Sequence, residues 1–189
     1  MARITNKREK LIKASDNLFL QKGTSLTTLA DIAHLAEVPL GNVYYYFKTK
    51  NDIISDVIKL RFKELQELIA KIENEIQTPN LQLKTFMHSF VNITAEEPQT
   101  FGFMLTMFWM ELGKEGGDLF NEFLPLPEHV LNWCSNKFEV LGKGEQAKHC
   151  AEMFLNSLYG LCVNRHNPTA KELIQGQVNF IGQTLGIAG

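Results

Sequence analysis

A chain of 189 residues, 44% hydrophobic and 21% charged, is long enough to bury a sizeable core and has the composition of an ordinary globular protein. No apolar run reaches the roughly 18 residues of a membrane span, and the first twenty residues are too polar for a signal peptide, so a cytoplasmic protein with no membrane partner is expected. The net charge of −2 conceals an asymmetry: residues 1–50 carry eight Lys/Arg against four Asp/Glu, and the remainder carries eleven against seventeen. A basic head on an acidic body suits a phosphate-binding module, although an excess of four charges assigns no function by itself.

Leu11, Ile12, Ser15, Leu18 and Phe19 lie at helical spacing ahead of Gly23. They predict a first helix with one apolar face and a glycine stop. Lys7, Arg8 and Lys10 sit at or before its start, where they either follow a DNA backbone or merely solvate the helix end. Thr27 and Thr28 open a second helix, because Thr28-x-x-Asp31 has the spacing of a capping box. Leu29, Ile32, Ala33 and Ala36 then mark a narrow inner face.

Pro39 ends that helix and suits the first turn of the next. In the short third helix, from Pro39 to Phe47, Val43 and Phe47 are one turn apart and point inward. Leu40, Gly41, Asn42, Tyr44, Tyr45 and Tyr46 share the flanks and the outer face. Tyrosine hydroxyls and an amide bond phosphates and base edges, leucine meets a thymine methyl, and glycine permits close backbone approach. At least one of the three tyrosines is expected to be partly buried packing. The basic step Lys48-x-Lys50 follows, and two helices around a tight turn make a helix-turn-helix DNA reader.

The run from Leu18-Phe19 to Gly23, then Thr27-Thr28-x-x-Asp31-Ile32-Ala33, then Val38-Pro39-x-Gly41-Asn42-x-Tyr44-x-Tyr46-Phe47-x-x-Lys50, resembles the TetR (tetracycline repressor) family of bacterial transcription factors. The resemblance covers roughly residues 5–60. It implies that Thr27, Thr28, Tyr44 and Lys50 contact phosphates and that the helix from Leu40 to Tyr46 enters the major groove. The family often has glycine in the turn where this chain has Glu37. A left-handed conformation there costs a non-glycine residue roughly 1 kcal/mol.

Thr49-x-x-Asp52 is a second capping box and begins a long helix over 49–77 that links head to body. A helix over 81–94 follows, and then Phe101 to Leu112, which is apolar nearly all round and therefore central. Aromatic and methionine side chains adapt to apolar ligands. Together with the family's pocket in this region, that makes Phe86, Phe90, Phe103, Met107, Phe108 and Trp109 the candidate cavity lining. Residues 113–117 are expected to be a loop and 119–124 a short helix.

Helices over 127–141 and 145–163 align Val130, Trp133 and Phe138, and Ala147, Ala151, Phe154 and Leu158. Resemblance makes these faces a dimer interface, a four-helix bundle across a two-fold axis; the other reading is that they serve only the chain's own core. A last helix runs from Ala170 to Leu185.

Cys134, Cys150 and Cys162 form no Cys-x-x-Cys pair, the five histidines are scattered, and no catalytic or phosphate-loop motif occurs. No cofactor, metal or enzyme activity is expected. The fold expected is all-α: an N-terminal helix-turn-helix DNA-binding domain (1–50) and a larger helical ligand-binding and dimerisation domain (51–189). The function expected is a ligand-responsive repressor, a homodimer on a palindromic operator, released by a small apolar or aromatic ligand. The rival reading is a helical carrier or enzyme whose head mediates protein contacts.

Overall fold

A computed structural model of the chain describes residues 2–96, 125–163 and 170–187, and among these there is no β-strand. The expected region 101–112, the loop 113–117 and the helix 119–124 lie outside the described residues, as do Phe103, Met107, Phe108 and Trp109.

Helix α1 (Ala2–Leu26) buries Leu11, Ile12, Ser15 and Phe19 and is interrupted at Gly23, whose φ of 82° and ψ of 162° are essentially restricted to glycine. The residue expected to stop the helix therefore bends it, and one short turn follows. Helix α2 (Leu29–Leu35) begins at the capping box, with the Thr28 hydroxyl taking the Asp31 N–H and the Asp31 carboxylate taking the Thr28 N–H. Helix α3 (Leu40–Tyr46) follows Pro39 and turns Val43 inward with Phe47, both inaccessible.

Helix α4 (Lys50–Glu75) starts at the second capping box, Thr49 with Asp52. Its 26 residues make a rod of about 39 Å. It ends at Glu75 rather than at residue 77, and Pro79 opens the next helix instead of closing this one, because proline lacks only an N–H that a helix start leaves unpaired. Near the head, α4 is fastened to α1 by the Arg8–Asp56 ion pair and by a two-pronged Arg61–Asp16 pair. At the far end, the Gln82 side chain of α5 (Pro79–Glu96) donates to the Ile76 carbonyl at 2.6 Å.

Helix α6 (Pro125–Phe138) unwinds through a wide turn, residues 139–143, in which Gly142 has a φ of 81°. Helix α7 (Ala147–Val163) packs along α6, and α8 (Ala170–Leu185) lies against α5 and α7. Gly186, with a φ of 72°, turns the chain so that the Ile187 N–H reaches the Gly182 carbonyl and Ile187 is buried.

The face assigned to a dimer interface is instead the interior of this chain. Val130, Trp133, Phe138, Ala147, Ala151, Phe154 and Leu158 are all buried within a single copy. Helical periodicity marks an apolar stripe, but it does not say whether the same chain or another one covers it.

Candidate nucleic-acid interface

The α2–α3 turn is built around Glu37, whose φ of 55° is left-handed. The strain of roughly 1 kcal/mol is offset by two bonds that close the end of α2: the Glu37 N–H to the His34 carbonyl at 3.1 Å and the Val38 N–H to the Ala33 carbonyl at 3.0 Å. Val38 is buried behind them. The turn is therefore stable without the glycine common at this position.

With Val43 and Phe47 holding its inner side, α3 leaves a continuous apolar and aromatic face in solvent. Leu40 is 41% exposed, Tyr44 58% and Tyr45 76%. Gly41 is also exposed, and a Cβ there would meet no atom of this chain within 4 Å. Asn42 is half-buried on the flank. Tyr46 is the packing tyrosine: it lies against the core, and the Tyr45 ring meets it edge-on at 5.0 Å.

The residues around α3 are more committed to the fold than the sequence suggests. Thr27 is buried, and its hydroxyl donates to the Gly23 carbonyl at 2.7 Å, so its side chain holds the α1–α2 turn and is withdrawn as a phosphate contact. Lys50 is half-buried and its ammonium bonds the carbonyls of Thr24 at 2.7 Å and Thr27 at 3.4 Å. It closes the same turn, which leaves Lys48 as the exposed cation of the pair. Arg8 of the basic arm pairs with Asp56 and covers the Phe47 ring at 5.3 Å. Thr28 is exposed, and its hydroxyl, which accepts from Asp31, keeps a proton to donate. The ammonium of Lys22 and the Thr28 N–H hold the Asp31 carboxyl well below the usual carboxylate range.

The family model described as bacterial regulatory proteins, tetR family, matches residues 11–57, from the buried face of α1 to the first turns of α4. The chain belongs to the TetR family. The regulator QacR of Staphylococcus aureus is 22% identical over 183 residues, covering 90% of this chain and 92% of that protein. The regulator AcrR of Shigella flexneri is 30% identical over 149 residues, covering 77% of this chain but 64% of AcrR, just under two thirds of its length. The AibR structure, solved with isovaleryl coenzyme A and operator DNA, shares the fold at a TM-score of 0.72 and 13% identity over 93% of this chain and 97% of that one. These TetR-family relatives are named transcriptional regulators rather than enzymes or carriers, and no described helix of this member is long and apolar enough to cross a membrane.

Of this TetR-family chain's candidate pocket residues, the structure describes Phe86 and Phe90, both buried. Their rings stand 5.8 Å apart, and Phe86 faces Trp133 at 5.3 Å and Phe154 at 6.3 Å while Phe90 meets Tyr159 at 6.1 Å. The Trp133 indole N–H donates to Glu73 near the end of α4 at 2.9 Å, and Lys137 bonds the same carboxylate oxygen at 2.8 Å. The aromatic core of the body is thereby tied to the helix that carries the head. Lys137, ahead of Trp133, holds the Glu73 carboxyl below the usual range. Periodicity had no means of finding this node, since Glu73 and Trp133 meet across 60 residues of sequence.

Cys134 is fully buried, and burial pushes its thiol well above the ordinary range, so it is not a reactive sulfur. Among the described residues no group of three His, Cys, Asp or Glu side chains stands ready for a metal.

Proposed function

We propose that this TetR-family regulator is a repressor that binds a palindromic operator as a homodimer and releases it when a small molecule occupies the body. The observation that carries the DNA half is the outer face of α3: Leu40, Gly41, Tyr44 and Tyr45 are exposed although none is charged, and Gly41 is not required by any contact within the chain. Solvent alone favours Lys and Glu on such a face. A duplex accounts for aromatic hydroxyls and a bare backbone position. Thr28, Tyr44 and Lys48 bond phosphates in this reading, Leu40, Asn42 and Tyr45 meet bases, and Lys50 and Thr27 keep the reading helix in place.

The two-fold partner belongs on the outer side of α7 and α8. Met153, Asn156, Ser157 and Gly160 recur at helical spacing on α7, and Gly176, Gln177 and Phe180 do so on α8. Met153 is 44% and Phe180 67% exposed, and both glycines have open space where a Cβ would stand. Two mid-helix glycines each weaken their helix by about 1 kcal/mol, a loss that close approach of a second pair of helices offsets. Such a dimer sets its two α3 helices about 34 Å apart, one helical turn of DNA. The operator and coenzyme A ester bound by AibR support both halves of the reading by analogy.

For a hundredfold loss of DNA affinity the ligand must favour the spread arrangement by about 2.7 kcal/mol. The reading is tested by titrating DNA from upstream of the protein's own gene at several salt concentrations. A steep salt dependence is expected for the specific site, and a flat one rejects DNA binding.

A further inference from the structure

From α1, the Arg8 guanidinium reaches two other helices at once. It pairs with Asp56 on the second turn of α4 and lies over the Phe47 ring, 5.3 Å from its centroid, where α3 ends. We propose that Arg8 is a positioning residue for DNA reading: it locks α3 to α1 and α4, and makes no phosphate contact of its own. The effect on DNA rests on the regulator reading above; the joint between the helices does not.

The reading helix needs such a brace. Seven residues are too few for a helix that stands alone, and no side chain caps it at Pro39. It is held by Val43 and Phe47, and Phe47 is the residue at which it stops, in extended conformation, with its N–H on the Val43 carbonyl at 2.9 Å. The elbow that follows is fixed from α4: the Asp52 carboxylate takes the N–H groups of Lys48 at 2.9 Å and Thr49 at 2.8 Å. Asp56 stands one turn further along the same helix. Asp52 therefore holds the backbone of the elbow, while Asp56 holds the cation that covers the ring in front of it. A guanidinium suits both tasks, since it can meet a carboxylate and an aromatic ring together.

The pairing also decides what Arg8 offers a duplex. A cation already matched by a carboxylate adds little net charge toward phosphates, so orientation is what it contributes. With the Arg61–Asp16 pair further along α4, the joint makes α3 follow α4 when that helix tilts.

The test uses the full chain and two readouts. Amide hydrogen exchange is followed at Phe47 and, as a reference within the head, at Ile32 of α2, both without DNA. Binding to the upstream DNA is titrated separately at several salt concentrations. Arg8→Gln and Asp56→Asn should each speed exchange at Phe47 by about fivefold and weaken DNA binding by about the same factor, with Ile32 unchanged. The double variant should be no worse than either single one, the salt slope should stay that of the parent, and Arg8→Lys should recover most of the loss. Asp56→Asn separates the explanations by sign: removing an acidic group from the head strengthens DNA binding on charge alone, and the joint predicts the reverse. Should that variant fail to fold, Arg8→Gln, at a side chain 47% exposed, carries the comparison. Parent-like exchange at Phe47, or an equal rise at Ile32, overturns the joint. A salt slope lowered by about 0.9 in Arg8→Gln, or tighter binding by Asp56→Asn, overturns the positioning role. Failure of the parent to bind any DNA instead sinks the regulator reading, and the exchange rates still decide the joint.

Discussion

Two parts of this molecule use the same kind of side chain to opposite ends. On α3, Tyr44 and Tyr45 stand in solvent, on a helix held from behind by Val43 and Phe47. Across α5, α6 and α7, Phe86, Trp133, Phe138 and Phe154 close on one another, and Phe138 meets Phe154 edge-on at 6.0 Å. Both sets are large aromatic side chains carried on helices. An aromatic stripe therefore reports that something is to be covered, and the surrounding helices decide by what. Around α3 the neighbours lie on one side only. Around α7 they lie on nearly every side but one, and the residues on that side are small or adaptable: Met153, Ser157 and Gly160.

The comparison is broken most severely from within. Phe154→Ala removes a fully buried ring and is expected to destabilise the fold by about 3–5 kcal/mol in urea unfolding; a loss below about 1 kcal/mol would mean that α6 and α7 do not pack as described. Arg61→Ala leaves Asp16, only 14% exposed, without its partner and should cost about 3 kcal/mol. A chain that melts unchanged would show the pair to be ornamental to the join between α1 and α4.

On the outer faces, folding stability should hardly register while assembly does. Phe180→Asp is expected to change the stability of the single chain by under about 0.5 kcal/mol, yet to shift sedimentation toward monomer. A variant that sediments like the parent moves the interface off α8. Gly41→Ala should separate the two properties by sign: helix propensity raises stability by up to about 1 kcal/mol, whereas DNA affinity falls because the methyl group fills the approach. A gain in both would remove the groove from the account of α3.

The smallest effect concerns Glu73. Its carboxyl is held below the ordinary range by Lys137, so its contribution is complete at neutral pH and disappears as the pH falls below about 4. The side chain is 45% exposed, and solvent keeps that contribution under about 1 kcal/mol. Glu73→Gln should flatten the acid limb of the stability profile; an identical limb would assign it to other carboxylates.

How much was legible follows from range along the chain. Both capping boxes and the inward pair Val43 and Phe47 depend on groups within a turn or two of each other, and the structure has them as expected, whereas Gly23, expected to stop the first helix, bends it. Thr27 and Lys50 show where local reasoning stops. Thr27 looked like one of two equivalent threonines, but its hydroxyl lies beneath the bend at Gly23. Lys50 looked like an exposed cation, but the carbonyls it binds stand 23 and 26 residues earlier. The expected interface on α6 and α7 failed for the same reason.

The order of side chains along the backbone determined that this protein is helical, where its two capped helices begin, and which residues of α3 look out, because hydrogen bonds over three or four residues and a period of 3.6 are properties of short segments. Which apolar stripe becomes interior and which cation is held by a carbonyl were decided only when distant segments met, since burial belongs to the assembled helices and to no one of them.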